Sequence, residues 1–215
     1  MSHELQQIYD RFAETYEKNR NAFDMSEVLE DFRLRLPDRP GFLLDLGCGA
    51  GEPFPAYFIT RGWQVTGVDF SFRMLEMAHR FQPEMKTIFA DIREVEFPDE
   101  QFDAVTIIYC LFHIEHENHN AIFQKIHHWL RPGGKLLFTY ATKEYTGADI
   151  FNGFKKFMGE NLFYSHITPE NLSANLQDNG FIIESSRYRE IGGETFLWMT
   201  VAKPKQQERS FPIHY

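Results

Sequence analysis

The sequence predicts an α/β protein whose largely parallel sheet is covered by helices on both faces. Strand-like apolar runs alternate with segments of helical periodicity along most of the chain. Several of these runs are apolar almost throughout, the longest being residues 104–112, which is typical of parallel strands that are buried on both faces. The last two strand-like runs, on either side of Gly192-Gly193, have the pattern of an antiparallel hairpin. We therefore expect a doubly wound sheet that includes an antiparallel pair.

The composition argues against several classes of protein. The chain has 215 residues, and its 22 Lys and Arg against 31 Asp and Glu give a net charge of −9, which disfavours nucleic acid as a partner. The longest apolar run is too short to span a bilayer, and residues 1–10 lack the basic and apolar regions of a secretory signal. Two cysteines are too few for a disulfide framework and suit a reducing compartment. We expect a cytoplasmic protein without membrane association.

The elements up to residue 140 follow from periodicity and from turn residues. Residues 1–36 place apolar side chains at helical spacing, and the Pro- and Gly-containing break at residues 37–41 ends this helical extension. Beyond the break, strands and helices alternate, and Ser71 has the position of a helix N-cap. Strands are expected at residues 42–46, 64–68, 87–90, 104–109 and 135–140, and helices at residues 52–61, after residue 71, and at residues 117–130.

Residues 143–167 interrupt this alternation with an aromatic segment, which we interpret as a helical insertion. Thr168 and Pro169 then have the pattern of an N-cap followed by proline at the first helical position, and Asn179-Gly180 marks the helix end. The expected organisation is a single domain. It consists of a helical extension at residues 1–40, a core at residues 41–142 and 168–203, the insertion at residues 143–167, and a tail at residues 204–215.

The most informative segment is the glycine loop after the first strand, D-L-G-C-G-A-G at residues 45–51. Glycines here allow a tight turn and let backbone N–H groups approach a polar or anionic ligand beside a helix N-terminus. Asp69 ends the following strand, where a carboxylate can accept hydrogen bonds from a ribose diol. A glycine-rich turn that binds nothing is the alternative, but the loop and the acid together favour a ligand.

A nicotinamide dinucleotide fits this loop poorly. The dinucleotide spacing G-x-G-x-x-G requires a third glycine at position 52, where this chain has Glu52, and that carboxylate would repel a pyrophosphate. The Tyr-x-x-x-Lys pair of short-chain dehydrogenases is also broken, since Glu144 stands four residues after Tyr140. An oxidoreductase that uses NAD(P) is therefore a weaker alternative.

The D-x-G-x-G-x-G form resembles motif I of the class I S-adenosylmethionine (SAM) dependent methyltransferases, and the resemblance extends over most of the chain. Residues 65–75 resemble this family's ribose-binding segment, residues 90–92 its adenine-binding step, and residues 102–113 its fourth strand. Residues 130–134 resemble its turn before the fifth strand, and residues 180–202 its last two strands. Residues 9–16 are similar to the leading helix of a small-molecule branch typified by ubiquinone and menaquinone biosynthesis methyltransferases.

The resemblance implies a Rossmann-like sheet of seven strands in the order 3-2-1-4-5-7-6, with strand 7 antiparallel and residues 1–40 as a helical lid. It implies SAM as the cofactor, with the N–H groups of residues 47–49 near its charged amino-acid half. Asp45 would act through water or by fixing the loop, Asp69 would bind the ribose hydroxyls, and Asp91 the adenine amino group. The implied cofactor-binding residues are Tyr16, Arg20, Asp45, Gly47, Cys48, Gly49, Asp69, Phe70, Met74, Asp91, Ile92 and Tyr109.

Several of these residues keep a second interpretation. Phe70, Met74 and Ile92 can sandwich the adenine ring, or they can belong to the core. Tyr16 can face the cofactor, since aromatic rings attract cations, or it can pack the leading helix onto the sheet.

His113 is the candidate catalytic residue, because it follows the fourth strand at the edge where this fold places its reaction centre. It can orient an acceptor or act as a general base, or it can be a structural histidine bonded to a local carbonyl. His116 and His119 are spaced for a metal only if their segment is helical. A solvated, charged loop explains them better, and we expect no metal.

The expected reaction is methyl transfer from SAM to a small organic acceptor, releasing S-adenosylhomocysteine. Methyltransferases that act on the amino groups of bases usually carry an Asn/Asp/Ser-Pro-Pro-aromatic element after the fourth strand, and residues 109–112 contain no proline. The aromatic residues of the insertion and of the leading segment suggest an apolar, aromatic-lined acceptor pocket, although anchoring of a lid would give the same composition. A non-catalytic SAM-binding protein is the remaining alternative.

Overall fold

The computed structural model describes residues 6–11, 13, 24–157 and 159–205. Residues 6–11 and 13 are helical, and they precede six further helices and nine strands in the described part of the chain. The strands are β1 (Phe42–Leu46), β2 (Gln64–Asp69), β3 (Lys86–Phe89), β4 (Phe102–Ile107), β5 (Leu130–Tyr140), β6 (Phe151–Phe157), β7 (Glu160–His166), β8 (Ile182–Ile191) and β9 (Glu194–Ala202). The helices are α1 (Ser26–Leu34), α2 (Phe54–Ile59), α3 (Phe72–Phe81), α4 (His119–Trp129), α5 (Lys143–Thr146) and α6 (Pro169–Asp178).

Seven strands form one mixed sheet in the order β3-β2-β1-β4-β5-β9-β8. The strands from β3 to β5 are all parallel, whereas β9 lies antiparallel to both β5 and β8. The predicted order 3-2-1-4-5-7-6 is confirmed, because β8 and β9 are the sixth and seventh strands of this sheet. Parallel neighbours bring the carboxyl ends of β1, β2 and β4 to one edge, which is where the predicted site residues lie.

Apolar side chains bury both faces of the sheet. β4 is buried at every position, as expected for a central parallel strand. One face packs against α4 and α6 in a cluster that includes Leu44, Trp129 and Leu172. The other face packs against α1 and α2 through Phe32 and Phe58. No helix within the described ranges is long and apolar enough to cross a membrane.

Two helix starts confirm the capping residues that the sequence predicts. The Ser71 hydroxyl accepts a hydrogen bond from Met74 N at 3.2 Å, and the Thr168 hydroxyl accepts one from Asn171 N at 3.3 Å. α6 ends at Asp178, and Gly180 adopts a φ of +83° beyond it, as the Asn-Gly stop predicts. Local chemistry therefore sets where the helices at the site edge begin and end.

The prediction of a helical insertion is wrong for most of residues 143–167. Only α5 is helical, and β6 and β7 pair antiparallel as a separate two-stranded sheet, from Phe151 opposite His166 to Phe157 opposite Glu160. The spacing of three between the phenylalanines of β6 mimics a helical face, but exposure along β6 alternates with the period of a strand. Gly159, which lies between these aromatic-rich strands, has a φ of +92°, a conformation that favours glycine.

Asp103 connects three parts of the central sheet. Its carboxylate accepts hydrogen bonds from Phe42 N at 2.9 Å and from Arg131 Nη1 at 2.6 Å, so it joins β1, β4 and β5. The side chain is only 8% exposed, and the segment after Leu130 bulges before β5 resumes its pairing with β4 at Lys135. A buried carboxylate with two donors is costly to remove, because both donors lose their partner.

We predict that Asp103→Ala lowers the free energy of unfolding by about 2–4 kcal/mol, since it leaves a buried N–H and a guanidinium without their acceptor. Urea unfolding followed by circular dichroism measures the change. Asp99→Ala, at an exposed position in the preceding loop, removes the same charge and should change stability by less than about 0.5 kcal/mol. Equal effects of the two substitutions would contradict the role of Asp103.

Candidate active site

The glycine loop between β1 and α2 is held by hydrogen bonds to the neighbouring strand. Gly47 N and Cys48 N both donate to Val68 O, at 2.8 and 3.0 Å. A Cβ atom at position 47 would lie 2.5 Å from the Cys110 sulfur, so only glycine fits there. At Gly49, with a φ of +51°, a Cβ atom would meet nothing within 4 Å. The loop is therefore packed at its first glycine and faces open space at its second.

Asp69, at the end of β2, fixes this loop from the other side. Its Oδ2 accepts a hydrogen bond from Gly49 N at 2.9 Å, and its Oδ1 accepts one from Ser71 N at 2.8 Å. The N–H groups of residues 47–49, which the resemblance places near the charged half of the cofactor, all donate within the chain. These hydrogen bonds fix the conformation of the loop between β1 and β2.

Asp45 lies buried at the end of β1 and is only 4% exposed. Its Oδ1 accepts a hydrogen bond from the Thr106 hydroxyl at 2.5 Å, which links β1 to β4. Burial raises the pKa of Asp45 to about 7 and the pKa of Asp69 to about 6, although hydrogen bonds oppose both shifts. The ionised forms of both carboxylates are thus disfavoured by their surroundings.

These two carboxylates make the loop a fitting place for a cation. Within the described ranges, neither Asp45 nor Asp69 forms a salt bridge with a lysine or arginine. Asp10, which accepts a hydrogen bond from the Ser71 hydroxyl at 2.5 Å, adds a third carboxylate and raises the pKa of Asp69 further. A ligand with positive charge beside Gly49 would stabilise all three as anions.

The structure gives Asp91 a partner that the sequence analysis missed. Arg93 donates to it from its backbone N at 2.9 Å and from its guanidinium Nη2 at 2.8 Å, and Arg93 Nη1 also donates to Glu115 at 3.3 Å. The side chain of Asp91 is 14% exposed. An adenine amino group would have to share this carboxylate with Arg93. The short spacing Asp-x-Arg was the available signal in the sequence.

The three residues expected to sandwich an adenine ring lie in different packing environments. Ile92 belongs to the large cluster on the α4 face, whereas Met74 packs with Ala50 in a small separate cluster. Phe70 is partly buried, and its ring contacts the ring of Tyr9 edge to face, with centroids 5.8 Å apart. The three side chains therefore do not pack against one another as one cluster, and their contact with an adenine ring stays a prediction.

His113 lies in a short 3-10 turn after β4 and is only 7% exposed. Its Nδ1 lies 2.7 Å from Phe163 O, and because a carbonyl only accepts, Nδ1 carries the proton and donates. Nε2 is then left to accept a hydrogen bond. Burial lowers the pKa of His113 to about 4, so the imidazole is neutral near pH 7. The structural interpretation of His113 and an acceptor-orienting role are compatible with this geometry.

Aromatic side chains from four separate segments meet near His113. The rings of Phe112 and Phe196 stack with centroids 4.9 Å apart, and Phe112 also stacks on Tyr164 at 5.4 Å. Tyr9, from the leading helical segment, lies 5.9 Å from the His113 ring. We call this group the aromatic cluster; its buried members include Phe112, Leu162, Tyr164 and Phe196. The insertion and the leading segment thus converge on one edge of the sheet.

Tyr109 has a strained backbone directly after β4. Its φ is +53°, which is uncommon for an aromatic residue, and its N–H donates to the Thr139 hydroxyl at 2.6 Å. The ring points toward β9, where it contacts Phe196 and Trp198 at 5.4 and 5.7 Å. Tyr109 therefore lies between the loop edge and the aromatic cluster. Strain of this kind is frequent at functional sites.

The remaining candidates divide into residues outside the described ranges and residues with internal partners. Tyr16 and Arg20 lie outside the described residues. His119 is 1% exposed, with its ring nitrogens 3.1 Å from the Tyr140 hydroxyl and 3.0 Å from Ile114 O. Where the structure describes the chain, no group of three or more potential metal ligands occurs. Cys48 and Cys110 are buried free thiols, and burial raises the pKa of each.

The raised pKa of Asp45 has a measurable consequence for stability. Its folded pKa of about 7 exceeds its unfolded value, so the native state binds more protons between pH 4 and 7, and stability falls as the pH rises through that range. Between about pH 5 and about pH 8, we predict that the free energy of unfolding of the unaltered protein falls by roughly 2 kcal/mol more than that of the Asp45→Asn variant. Urea unfolding at several pH values measures this difference. A parallel pH profile in the two proteins would contradict the prediction, and Asp99→Asn serves as the control that should leave the profile unchanged.

The sequence is similar to those of known methyltransferases. A family profile described as a methyltransferase domain matches residues 44–138. The phosphoethanolamine N-methyltransferase of Plasmodium falciparum is 31% identical over 150 residues, which cover 67% of this chain and 55% of that protein. A 2-phytyl-1,4-naphtoquinone methyltransferase of Nostoc is 29% identical over 147 residues, or 63% of each chain. The chain spans little more than half the length of the first curated relatives that it matches.

Solved structures share the fold over nearly the whole chain. The 1,6-didemethyltoxoflavin-N1-methyltransferase of Burkholderia thailandensis, solved with 1,6-didemethyltoxoflavin and S-adenosylhomocysteine, superposes with a TM-score of 0.70 at 22% identity. The match covers 95% of this chain and 91% of that one. The domain profile, the curated relatives and the sheet order agree: the chain belongs to the class I SAM-dependent methyltransferases, whose cofactor is S-adenosylmethionine.

Proposed function

We propose that the chain transfers the methyl group of SAM to a small organic acceptor with apolar or aromatic character. The observation that carries the proposal is the pair of buried carboxylates, Asp45 and Asp69, beside the open side of Gly49. SAM carries a sulfonium and an ammonium group, so it would supply the positively charged partner that neither carboxylate has among the described lysines and arginines. The aromatic cluster reaches Phe70, the residue after Asp69, through the ring of Tyr9, and the acceptor would meet the methyl group there.

The roles of the cofactor-binding residues follow from their contacts. Asp69 ends β2 with its carboxylate toward Gly49, so it would accept from the ribose hydroxyls while it keeps its two backbone donors. Asp45 is deeper and is bonded to Thr106, so it would set the loop and the local charge. Asp91, which is held by Arg93, would accept a hydrogen bond from the adenine amino group.

The chain contributes alignment and water exclusion to the reaction. When bound, SAM supplies a methyl group that its sulfonium sulfur already activates. Stacked, buried rings such as Phe112 and Phe196 would keep water away from the transfer site. Neutral His113 would orient the acceptor through a hydrogen bond to Nε2. With a pKa near 4, His113 is a weak proton acceptor at neutral pH.

Two other functions make different predictions. A non-catalytic SAM-binding protein would bind SAM through the same carboxylates but would transfer no methyl group. An NAD(P)-dependent oxidoreductase would bind a dinucleotide, which the three carboxylates around Gly49 would repel through its pyrophosphate.

The first test of the proposal is calorimetric titration with SAM, S-adenosylhomocysteine and NADH. We expect the two sulfur nucleosides to bind with Kd values in the roughly micromolar range, and NADH to bind at least about a hundredfold more weakly. Incubation with methyl-labelled SAM and a panel of phenols, amines and thiols then measures transfer. Binding without transfer to any acceptor would favour the non-catalytic alternative, and preferential NADH binding would refute the proposal.

A second prediction concerns Asp69. We expect Asp69→Asn to weaken SAM binding by about 1–2 kcal/mol, roughly tenfold, because a neutral amide loses the charge and one acceptor. Calorimetry measures the affinity, and the thermal midpoint of each variant reports whether the loop change also disturbs the fold. Asp99→Asn makes the same chemical change at an exposed loop position and should bind SAM like the unaltered chain. An unchanged affinity in Asp69→Asn would refute the ribose assignment.

A further inference from the structure

A small cavity lies between α1 and the sheet, where that helix packs against β5, β8 and β9. It has room for about one water molecule or one ion of similar size. None of the residues proposed above to bind the cofactor is among its described lining residues. The lining residues that carry polar groups are Asp31, Ser185, Arg187, Arg189, Trp198 and Thr200.

Most of these polar groups donate hydrogen bonds. Ser185 pairs with Thr200 across β8 and β9, and Arg187 pairs with Trp198, so hydroxyl, guanidinium and indole groups stand in adjacent rows of the sheet. Trp198 is 3% exposed, and its indole N–H has no acceptor within the described ranges. A buried donor without an acceptor costs free energy. The cavity that Trp198 lines therefore favours an occupant that accepts hydrogen bonds.

The charge of the lining favours an anion, because two arginines line the cavity and its one described carboxylate is already paired. Asp31 Oδ1 lies 3.4 Å from Arg35 Nη2, and Asp31 Oδ2 lies 3.9 Å from Arg189 Nη2. Arg187 forms no salt bridge with any residue that the structure describes. Arg35 Nε is a second buried N–H without an acceptor in the same part of the chain. The positive charge of Arg187 is therefore unmatched.

We propose that this cavity binds a monatomic anion of chloride size. Such an ion accepts hydrogen bonds from indole, guanidinium and hydroxyl groups together, because its charge has no preferred direction. A water molecule would accept from Trp198, but it would leave the charge of Arg187 unmatched. A metal cation would be repelled by that charge. A phosphate ion exceeds a space of about one water molecule.

The bound ion would connect α1 with the β8–β9 hairpin, which is distant from it in sequence. Arg187 is exposed, so the ion reaches the cavity from solvent. A salt bridge of 3.0 Å between Arg189 and Glu27 makes the same connection, but the side chain of Glu27 is 85% exposed, and such pairs contribute little stability. We therefore expect the ion to stabilise the packing of α1 on the sheet.

Thermal unfolding measures this stabilisation. The midpoint is followed in sodium chloride and in sodium gluconate at equal ionic strength, because gluconate is too large for the cavity. We expect the midpoint to rise with chloride and to level off as the site saturates, with a Kd of roughly 1–10 mM. At about twenty times the Kd, the midpoint in chloride should exceed that in gluconate by roughly 3–6 °C.

Tryptophan fluorescence reports where the ion binds. Bromide is close to chloride in size and quenches fluorescence by its heavy atom, so bromide bound beside Trp198 should cause a loss of emission that saturates. Bromide in free solution would give only weak quenching that rises linearly, since Trp63 and Trp129 are buried as well. We expect saturable quenching that chloride reverses, and we expect Trp198→Phe to lose it.

A matched pair of substitutions separates ion binding from a structural role of the lining. Arg187→Gln removes the unmatched charge and should weaken chloride binding at least about tenfold. Arg73→Gln makes the same change on α3, where the guanidinium lies 3.6 Å from Glu76 on the surface, and should bind chloride like the unaltered chain. Because Arg187 is exposed, we expect Arg187→Gln to fold, and its midpoint in gluconate reports whether it does.

A crystal soaked in bromide would give the position of the ion directly. The anomalous difference map should contain a peak within about 3.5 Å of Trp198 Nε1 and of the Arg187 guanidinium. Bromide peaks that lie only at other places on the surface would contradict the proposal.

The solution measurements decide the proposal in the same way. Equal midpoints in chloride and gluconate, or quenching that rises linearly with bromide, would show that the cavity holds no anion and would overturn it. A chloride effect of the same size in Arg187→Gln and in the unaltered chain would also overturn it, since the ion would then bind elsewhere. These measurements use neither SAM nor a methyl acceptor, so their outcome leaves the proposed methyl transfer untouched.

Discussion

The hydrogen bonds accepted by Asp69 are the interaction on which the candidate site depends. One carboxylate oxygen binds Gly49 N in the loop after β1, and the other binds Ser71 N at the start of α3. A single side chain thus positions a loop and a helix start that come from different parts of the sequence. Both are then presented at the same edge, because β1 and β2 are parallel neighbours whose ends coincide, with Leu46 opposite Val68.

The carboxylates that organise the site also lower the stability of the fold, because they are buried. Asp45 and Asp69 are buried next to Asp10, and burial opposes the ionisation of Asp45 and Asp69. A sequence selected for stability alone would replace one of these carboxylates with a neutral side chain, because an unpaired buried charge costs free energy. A cationic ligand removes that cost. The departure from ordinary burial rules therefore marks the binding site, as is common where function competes with stability.

The sequence predicts those helices and strands whose ends are set by nearby residues, and it predicts those site residues that stand at the ends of such strands. Ser71 and Thr168 mark helix starts by their own hydroxyls, and Asp45 and Asp69 stand at strand ends that parallel order brings together. The β6–β7 hairpin was missed, because the phenylalanines of β6 fit a helical spacing and only pairing with β7 decides the conformation.

The two halves of the candidate site have different physical origins. Asp45 and Asp69 stand at strand ends of the central sheet, so the sheet order fixes their relative positions. The aromatic cluster is built from the insertion, the leading segment and β9, which pack together through rings such as Tyr9, Tyr164 and Phe196. If the proposed acceptor binds beside this cluster, changes in these appended segments would alter acceptor binding without disturbing Asp45 or Asp69. The many phenylalanines of the chain, 22 in all, are explained in part by this division, since a cluster assembled from separate segments needs large apolar side chains to hold it together.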